Sequence, residues 1–180
     1  MAALDPVQAL AARAVVEMIR LPRGLVLALG GSALALVVSL VQFFEGVRYD
    51  AYQDIGGVWT ICYGHTGDVL PGQHASAAMC SAYLKADIDI ALAAVERLIT
   101  APLPVTRKAG LADFVINGGS NLLAKSSIRR KLNAGDTAGG CAAISLYVYA
   151  AGHDCRVKGS GCEGIVTRRN VERWLCELEP

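Results

Sequence analysis

The longest uncharged stretch of the chain runs from Gly24 to Phe44, GLVLALGGSALALVVSLVQFF. About 20 such residues, wound as a helix, cross the ~30 Å hydrocarbon core of a bilayer. Arg13, Arg20 and Arg23 precede it. Basic residues stay on the cytoplasmic side of a membrane, so the chain that follows is sent outward. Gly24, Ala28, Gly30, Gly31, Ser32, Ala33, Ala35 and Ser39 dilute the leucines and valines, and each brings less transfer free energy than a leucine. The predicted span is therefore weak. It fits a permanent single-pass anchor, a signal peptide cut at Ala33-Leu34-Ala35, or a signal that arrests in the membrane and later releases. The spacing from Val7 to Ile19 predicts an amphipathic helix within a cytoplasmic leader, residues 1–23.

Beyond Phe44 the pattern shortens. Glu45 to Asp50 reads as a helix end or short turn. From Ala51 to Pro71, aromatic and β-branched residues alternate with glycine breaks, which predicts a small antiparallel hairpin or meander. Ser76 can cap a long helix to about Ile99, with Met79, Tyr83, Leu84, Ile88, Leu92, Val95 and Ile99 on its apolar face. Pro102 and Pro104 break it. Further helices are predicted over Thr106–Ile116, Ser126–Leu132, Asp136–Tyr149 and Thr167–Leu178, with a glycine-containing loop from Gly152 to Gly164. The class is α+β, mostly helical with one small sheet near its start.

Composition narrows the functions. The 180 residues suffice for one domain and a short appendage. Net charge is +1 and no Lys/Arg block stands out, so nucleic acid binding has no electrostatic support. Six cysteines, Cys62, Cys80, Cys141, Cys155, Cys162 and Cys176, all follow the apolar stretch. An even set confined to the exported part predicts disulfides in an oxidising compartment. Zinc is the rival reading, but no C-x-x-C pair occurs and His65, His74 and His153 are scattered.

Candidate chemistry sits at the start of the exported part. Glu45 at a helix end and Asp54 in a hairpin can face each other across a cleft. Glycoside hydrolysis needs one carboxyl that keeps its proton for the leaving oxygen. It needs a second, ionised one to activate water or meet the cationic sugar. The hydroxyl of Thr60 can fix that water. Phe43 and Phe44 set apolar surface beside Glu45, and Asp54 lies among Gln53, Gly56 and Gly57, a polar and open setting. The spacing alone is also that of two solvated surface carboxylates.

The surrounding residues carry a resemblance. The run FEGVRYDAYQDIGGVWTICYGHTGDV resembles the catalytic region of the phage lysozymes of glycoside hydrolase family 24, whose pattern is E-x8-[D/C]-x5-T followed by a G-H-T-like turn. Glu45, Asp54, Thr60 and Gly64-His65-Thr66-Gly67 fit it. Phe114-Val115-Ile116-Asn117-Gly118-Gly119, the helix end Arg129 to Asp136 and the helix start Gly164 to Arg173 are similar to further family segments in the same order. The resemblance spans about Phe44 to Cys176. It implies a lysozyme-like fold that needs no metal or cofactor. The implied enzyme is an endolysin that hydrolyses the β-1,4 bond between N-acetylmuramic acid and N-acetylglucosamine in peptidoglycan and lyses the host cell. Glu45 would be the general acid. Asp54 would be the base that positions water, or the stabiliser of the cationic transition state, and Thr60 would orient the water. Asn117 would hydrogen-bond substrate sugar, Arg169 would pair with Glu45, and His65 would be a structural hydrogen-bonding residue. A non-enzymatic peptidoglycan-binding scaffold and a transglycosylase giving anhydro products are the other readings.

Two departures stand out. Gly118-Gly119 replaces the family's Val-Gly, and residues 1–44 lie outside its core pattern. Those residues resemble the signal-arrest-release (SAR) segment of a subset of phage endolysins, which wait tethered and inactive until the membrane is depolarised. One branch blocks a catalytic cysteine. Here Asp54 holds that position and no cysteine precedes Cys62, so control by topology is expected, with Glu45 pinned at the interface until release refolds Phe43 to Asp50. The implied layout is a leader 1–23, an arrest-release segment 24–44 and a catalytic domain 45–180. The host secretion machinery would export a monomer, held first in the inner membrane facing the periplasm and later freed into the periplasm. The expected disulfides are Cys62 with Cys80, tying sheet to long helix, Cys155 with Cys162 around a Gly/Ser loop, and Cys141 with Cys176, joining the fourth helix to the last.

Overall fold

The computed structural model describes Leu25 and residues 28–54, 56–150 and 152–178. The leader 1–23, its amphipathic helix and Gly24 lie outside the described residues.

Within the apolar stretch the chain turns at Gly30 and Gly31, where the Gly31 N–H donates to the Ala28 carbonyl at 2.8 Å. Ser32 then caps a new helix, its Oγ accepting from the Ala35 N–H at 3.3 Å. Helix α1 is Ala33–Glu45. Its Leu36, Val37, Leu40 and Val41 are fully buried in the main core, as is Leu25, while Phe43 stays exposed. No helix among the described residues is long and apolar enough to cross a membrane. The stretch expected as a single span is here interrupted by a turn, and its second half is a helix with one face buried in the domain. The paired glycines supply the break, because glycine is a poor helix former.

Gly46, at φ 65°, ends α1 directly after Glu45. Strand β1, Arg48–Gln53, follows and pairs antiparallel with β2, Trp59–Cys62, with Tyr52 opposite Thr60. The strand begins earlier than the expected Ala51. Its outer edge is held by a second segment: Ala51 N–H donates to the Gln73 carbonyl at 2.9 Å and Ala75 N–H to the Tyr49 carbonyl at 2.8 Å. These bonds keep residues 48–50 extended, where the local pattern predicts a turn.

Helix α2, Ala77–Leu98, starts at Ser76, whose Oγ accepts from the Met79 N–H at 3.2 Å. Its buried residues are Cys80, Leu84, Ile88, Ala91, Ala94 and Val95. Met79, expected on that face, is exposed, because Cys80 turns to the sheet to bond Cys62. Helix α3, Val105–Gly118, runs through the middle of the domain, buried from Ala109 to Val115. A Cβ at Gly110 would stand 2.7 Å from the Glu172 carbonyl oxygen, so α3 and the last helix meet backbone to backbone there.

The remainder departs in detail from the sequence pattern. A short helix α4, Ser120–Lys125, restarts one residue after Gly119, where only a glycine break was expected. Helix α5 is Ser127–Asn133, capped by Ser126 as predicted. Helix α6, Thr137–Ala143, is capped by Asp136 but does not reach Tyr149. A 3₁₀ turn, Ile144–Leu146, and a second hairpin take its place, with β3 (Tyr149–Ala150) pairing with β4 (His153–Asp154). The glycines of α6 are weak helix formers, and Tyr147-Val148-Tyr149 favours extended backbone. Helix α7, Gly164–Glu177, begins before the expected Thr167. Disulfides join Cys62 to Cys80, Cys141 to Cys176 and Cys155 to Cys162, the expected pairs.

Candidate active site

The turn between β1 and β2 fixes Asp54. Its Oδ1 accepts from the N–H groups of Gly56 and Val58, both at 2.8 Å. Gly57 makes the turn possible with a φ of 76°. One strand position further on, Thr60 is buried and its hydroxyl donates to the Val58 carbonyl at 3.0 Å. Glu45 arrives from the other side, as the last residue of α1. A cavity of about 270 Å³ is lined by Glu45, Asp54, Thr60 and Asn117, together with Tyr52 and Tyr63. The four cleft residues named from the sequence therefore share one cavity. A second cavity of about 260 Å³ adjoins it through Tyr63, Gly64, Thr66 and Ile116 and extends to Val41 and Asp87. Together they form one continuous groove.

Under the groove lies a buried ionic cluster. Arg168 on α7 donates from Nε and Nη2 to the two oxygens of Asp113 at 2.8 and 2.9 Å, and from Nη1 to Glu45 Oε1. Its guanidinium lies 5.2 Å from the Phe44 ring centroid. The neighbouring Arg169 donates to both oxygens of Glu172 at 2.6 and 2.7 Å, to the Tyr147 carbonyl at 2.9 Å and to Asn117 Oδ1 at 2.5 Å. Burial opposes the charge of Arg168, but the Asp113 and Glu45 carboxylates outweigh it and hold the guanidinium above its usual range. Burial, then the Asp113 carboxylate, push the Glu172 carboxyl well above the ordinary glutamate value against the pull of both arginines.

One expected pairing is corrected here. Arg168, not Arg169, meets Glu45, and Arg169 instead supports Asn117 on the opposite wall. Successive helical residues point about 100° apart, so adjacent arginines reach different walls. His65 holds Asp87 through Nδ1 at 2.9 Å and stacks on Tyr83 at 4.3 Å, a structural placement as expected. Asp113 and Glu172 were not singled out from the sequence. The visible signal for Asp113 was a charge set within Leu111-Ala112 and Phe114-Val115.

A helical domain whose small sheet walls a groove, with two carboxylates from different elements lining it, has the layout of the lysozyme-like class. The chain belongs to the phage lysozyme family, whose model matches residues 42–172. A SAR-endolysin of Bacteriophage PS119 is 36% identical over 156 residues, which are 83% of this chain and 89% of that protein. A SAR-endolysin of Escherichia phage Mu is 40% identical over 134 residues, 74% of each chain. Among solved structures, the muramidase domain of SpmX from Asticaccaulis excentricus superposes with a TM-score of 0.70 at 26% identity, covering 79% of this chain and 95% of that one. The protein is a lysozyme that acts on peptidoglycan, as an endolysin does.

Proposed function

We propose that the enzyme hydrolyses the β-1,4 bond between N-acetylmuramic acid and N-acetylglucosamine, with Glu45 as the acid. The observation that carries this reading is the single cavity lined by Glu45, Asp54 and Thr60. Glu45 donates its proton to the leaving glycosidic oxygen. Asp54 activates a water from the far face of the sugar or shields the cationic centre, and the Thr60 hydroxyl holds that water. Asn117, whose carbonyl oxygen is taken by Arg169, offers its amide N–H groups to an acceptor on the sugar. The groove binds glycan strands, and the enzyme works as a monomer without metal or cofactor.

The same proposal extends to delivery. Residues 24–44 carry the chain to the host secretion machinery and arrest in the inner membrane, with the rest facing the periplasm. Release frees the enzyme into the periplasm, where it lyses the cell. Two observations support this: the stretch carries no charge, and Glu45 is the last residue of helix α1, joined to the stretch without a linker. While that helix lies in lipid, its buried face cannot fill the core and Glu45 cannot take its place opposite Asp54.

Two measurements test these readings. Digestion of purified peptidoglycan, followed by mass spectrometry, is expected to give reducing muramic acid ends. Anhydro ends would replace the hydrolase with a transglycosylase, and binding without cleavage would replace it with a scaffold. Protein held in phospholipid vesicles through its N-terminal segment is expected to leave peptidoglycan intact until detergent frees it. Cutting by the vesicle-held form would end the tethering model.

A further inference from the structure

We propose that Asp113, a fully buried residue of α3, is a positioning residue for the acid: it fixes Arg168 so that one guanidinium N–H meets one oxygen of Glu45, and its charge balances that of Arg168. This rests on the reading of Glu45 as the acid.

Asp113 has no exposed surface. A buried carboxylate is tolerated only when paired and hydrogen-bonded, and here both oxygens are taken by the Nε and Nη2 edge of Arg168 at 2.8 and 2.9 Å. Such a two-bond fork fixes the guanidinium plane as well as its position. The Phe44 ring braces the same group from one face. Nη1 then bonds Glu45 Oε1. Glu45 Oε2, on the Gly64 side of the carboxyl, has no hydrogen-bond partner among the described residues and is the oxygen available to a substrate.

The second part is electrostatic. An unbalanced guanidinium beside a carboxyl favours the ionised form, which is the wrong form for a proton donor. The groups that face the Glu45–Arg168 pair are Asp113 of α3, Arg169 and Glu172 of α7, Asp54 from the hairpin turn, and the phenols of Tyr52 and Tyr63. Among the carboxylates other than Glu45, Asp113 lies nearest Arg168, at 2.8 Å against 3.7 Å for Glu172. Glu172 is engaged through both oxygens by Arg169. Asp113 is therefore the counter-charge that offsets Arg168.

The test is the pH dependence of kcat and KM for the full chain on soluble glycan strands, in wild type, Asp113→Asn and the double variant Asp113→Asn/Arg168→Gln. Asp113→Asn keeps the shape and removes the charge. Its alkaline limb is expected about one pH unit lower, with kcat at neutral pH down about 10-fold and KM changed less than about 2-fold. The double variant carries no charge at either position. Its limb is expected to return to within about half a unit of wild type. A residue that served stability alone would lower the melting temperature without moving the limb. A folded Asp113→Asn with an unmoved limb, or a double variant that leaves the limb where the single one put it, overturns the inference. If Asp113→Asn does not fold, the double variant decides by the same half-unit criterion. Glu45→Gln run alongside keeps the two ideas apart. Its retention of activity overturns both, whereas an inert Glu45→Gln with an unmoved Asp113→Asn limb overturns only this one.

Discussion

Glu45→Gln is expected to fold normally and to lose about a thousand-fold or more in hydrolysis of peptidoglycan. General acid catalysis contributes about 10²–10⁴ in rate, and a sugar alkoxide is a poor leaving group, so the upper part of that range applies. A thousand-fold corresponds to about 4 kcal/mol of transition-state stabilisation. The fold should survive because the amide oxygen of Gln can still accept from Arg168 Nη1, the bond Glu45 Oε1 accepts now. The carboxyl of Glu45 is also about one-third exposed, so little core packing depends on it. The checks are turbidity loss of purified cell walls and thermal melting. Activity within about tenfold of wild type would move the acid elsewhere in the cleft, with Asp54 the next candidate.

The second large effect concerns folding. Leu40→Asp is expected to unfold the domain at 37 °C, while Phe43→Asp, on the same helix, shifts melting only slightly. Leu40 is fully buried among residues of α1, α2 and α3, whereas Phe43 is 42% exposed. Truncating a buried leucine costs about 2–5 kcal/mol, and an unpaired buried carboxylate adds several more. A domain with ~5–15 kcal/mol of stability cannot absorb that sum. Both variants place one carboxylate on the same helix, so a difference between the melts of the two purified proteins reports the burial of the position. Circular dichroism melts decide it. Equal melting temperatures would mean that α1 is not part of the stable core.

The sequence carried the cleft further than it carried the fold around it. Glu45, Asp54 and Thr60 were legible because one short motif holds all three, and its spacing survives any error in the distant helices. The partner of Glu45 was not, because the facing of adjacent arginines depends on where α7 starts, and that start lies before the expected Thr167. The long stretch Gly24 to Phe44 shows a different limit. Hydropathy reports that a segment avoids water, and a bilayer and a protein core satisfy that preference equally. The turn at Gly30 and Gly31 separates the two settings, and the glycines that supply it also fit a diluted span, so hydropathy does not distinguish them. The second hairpin was overlooked for a related reason: its strands have two residues each, too few for alternation to show.

Glu45 and Arg168 come from the first and last of the described helices. A nascent chain emerging from the ribosome thus holds both cleft carboxylates long before it holds the arginines that bond Glu45 and Asn117. Chains that stop short of α7 carry Glu45, Asp54 and Thr60 but lack Arg168 and Arg169. The groove is therefore finished only when the end of the domain has been made, so its assembly is tied to the completion of the chain.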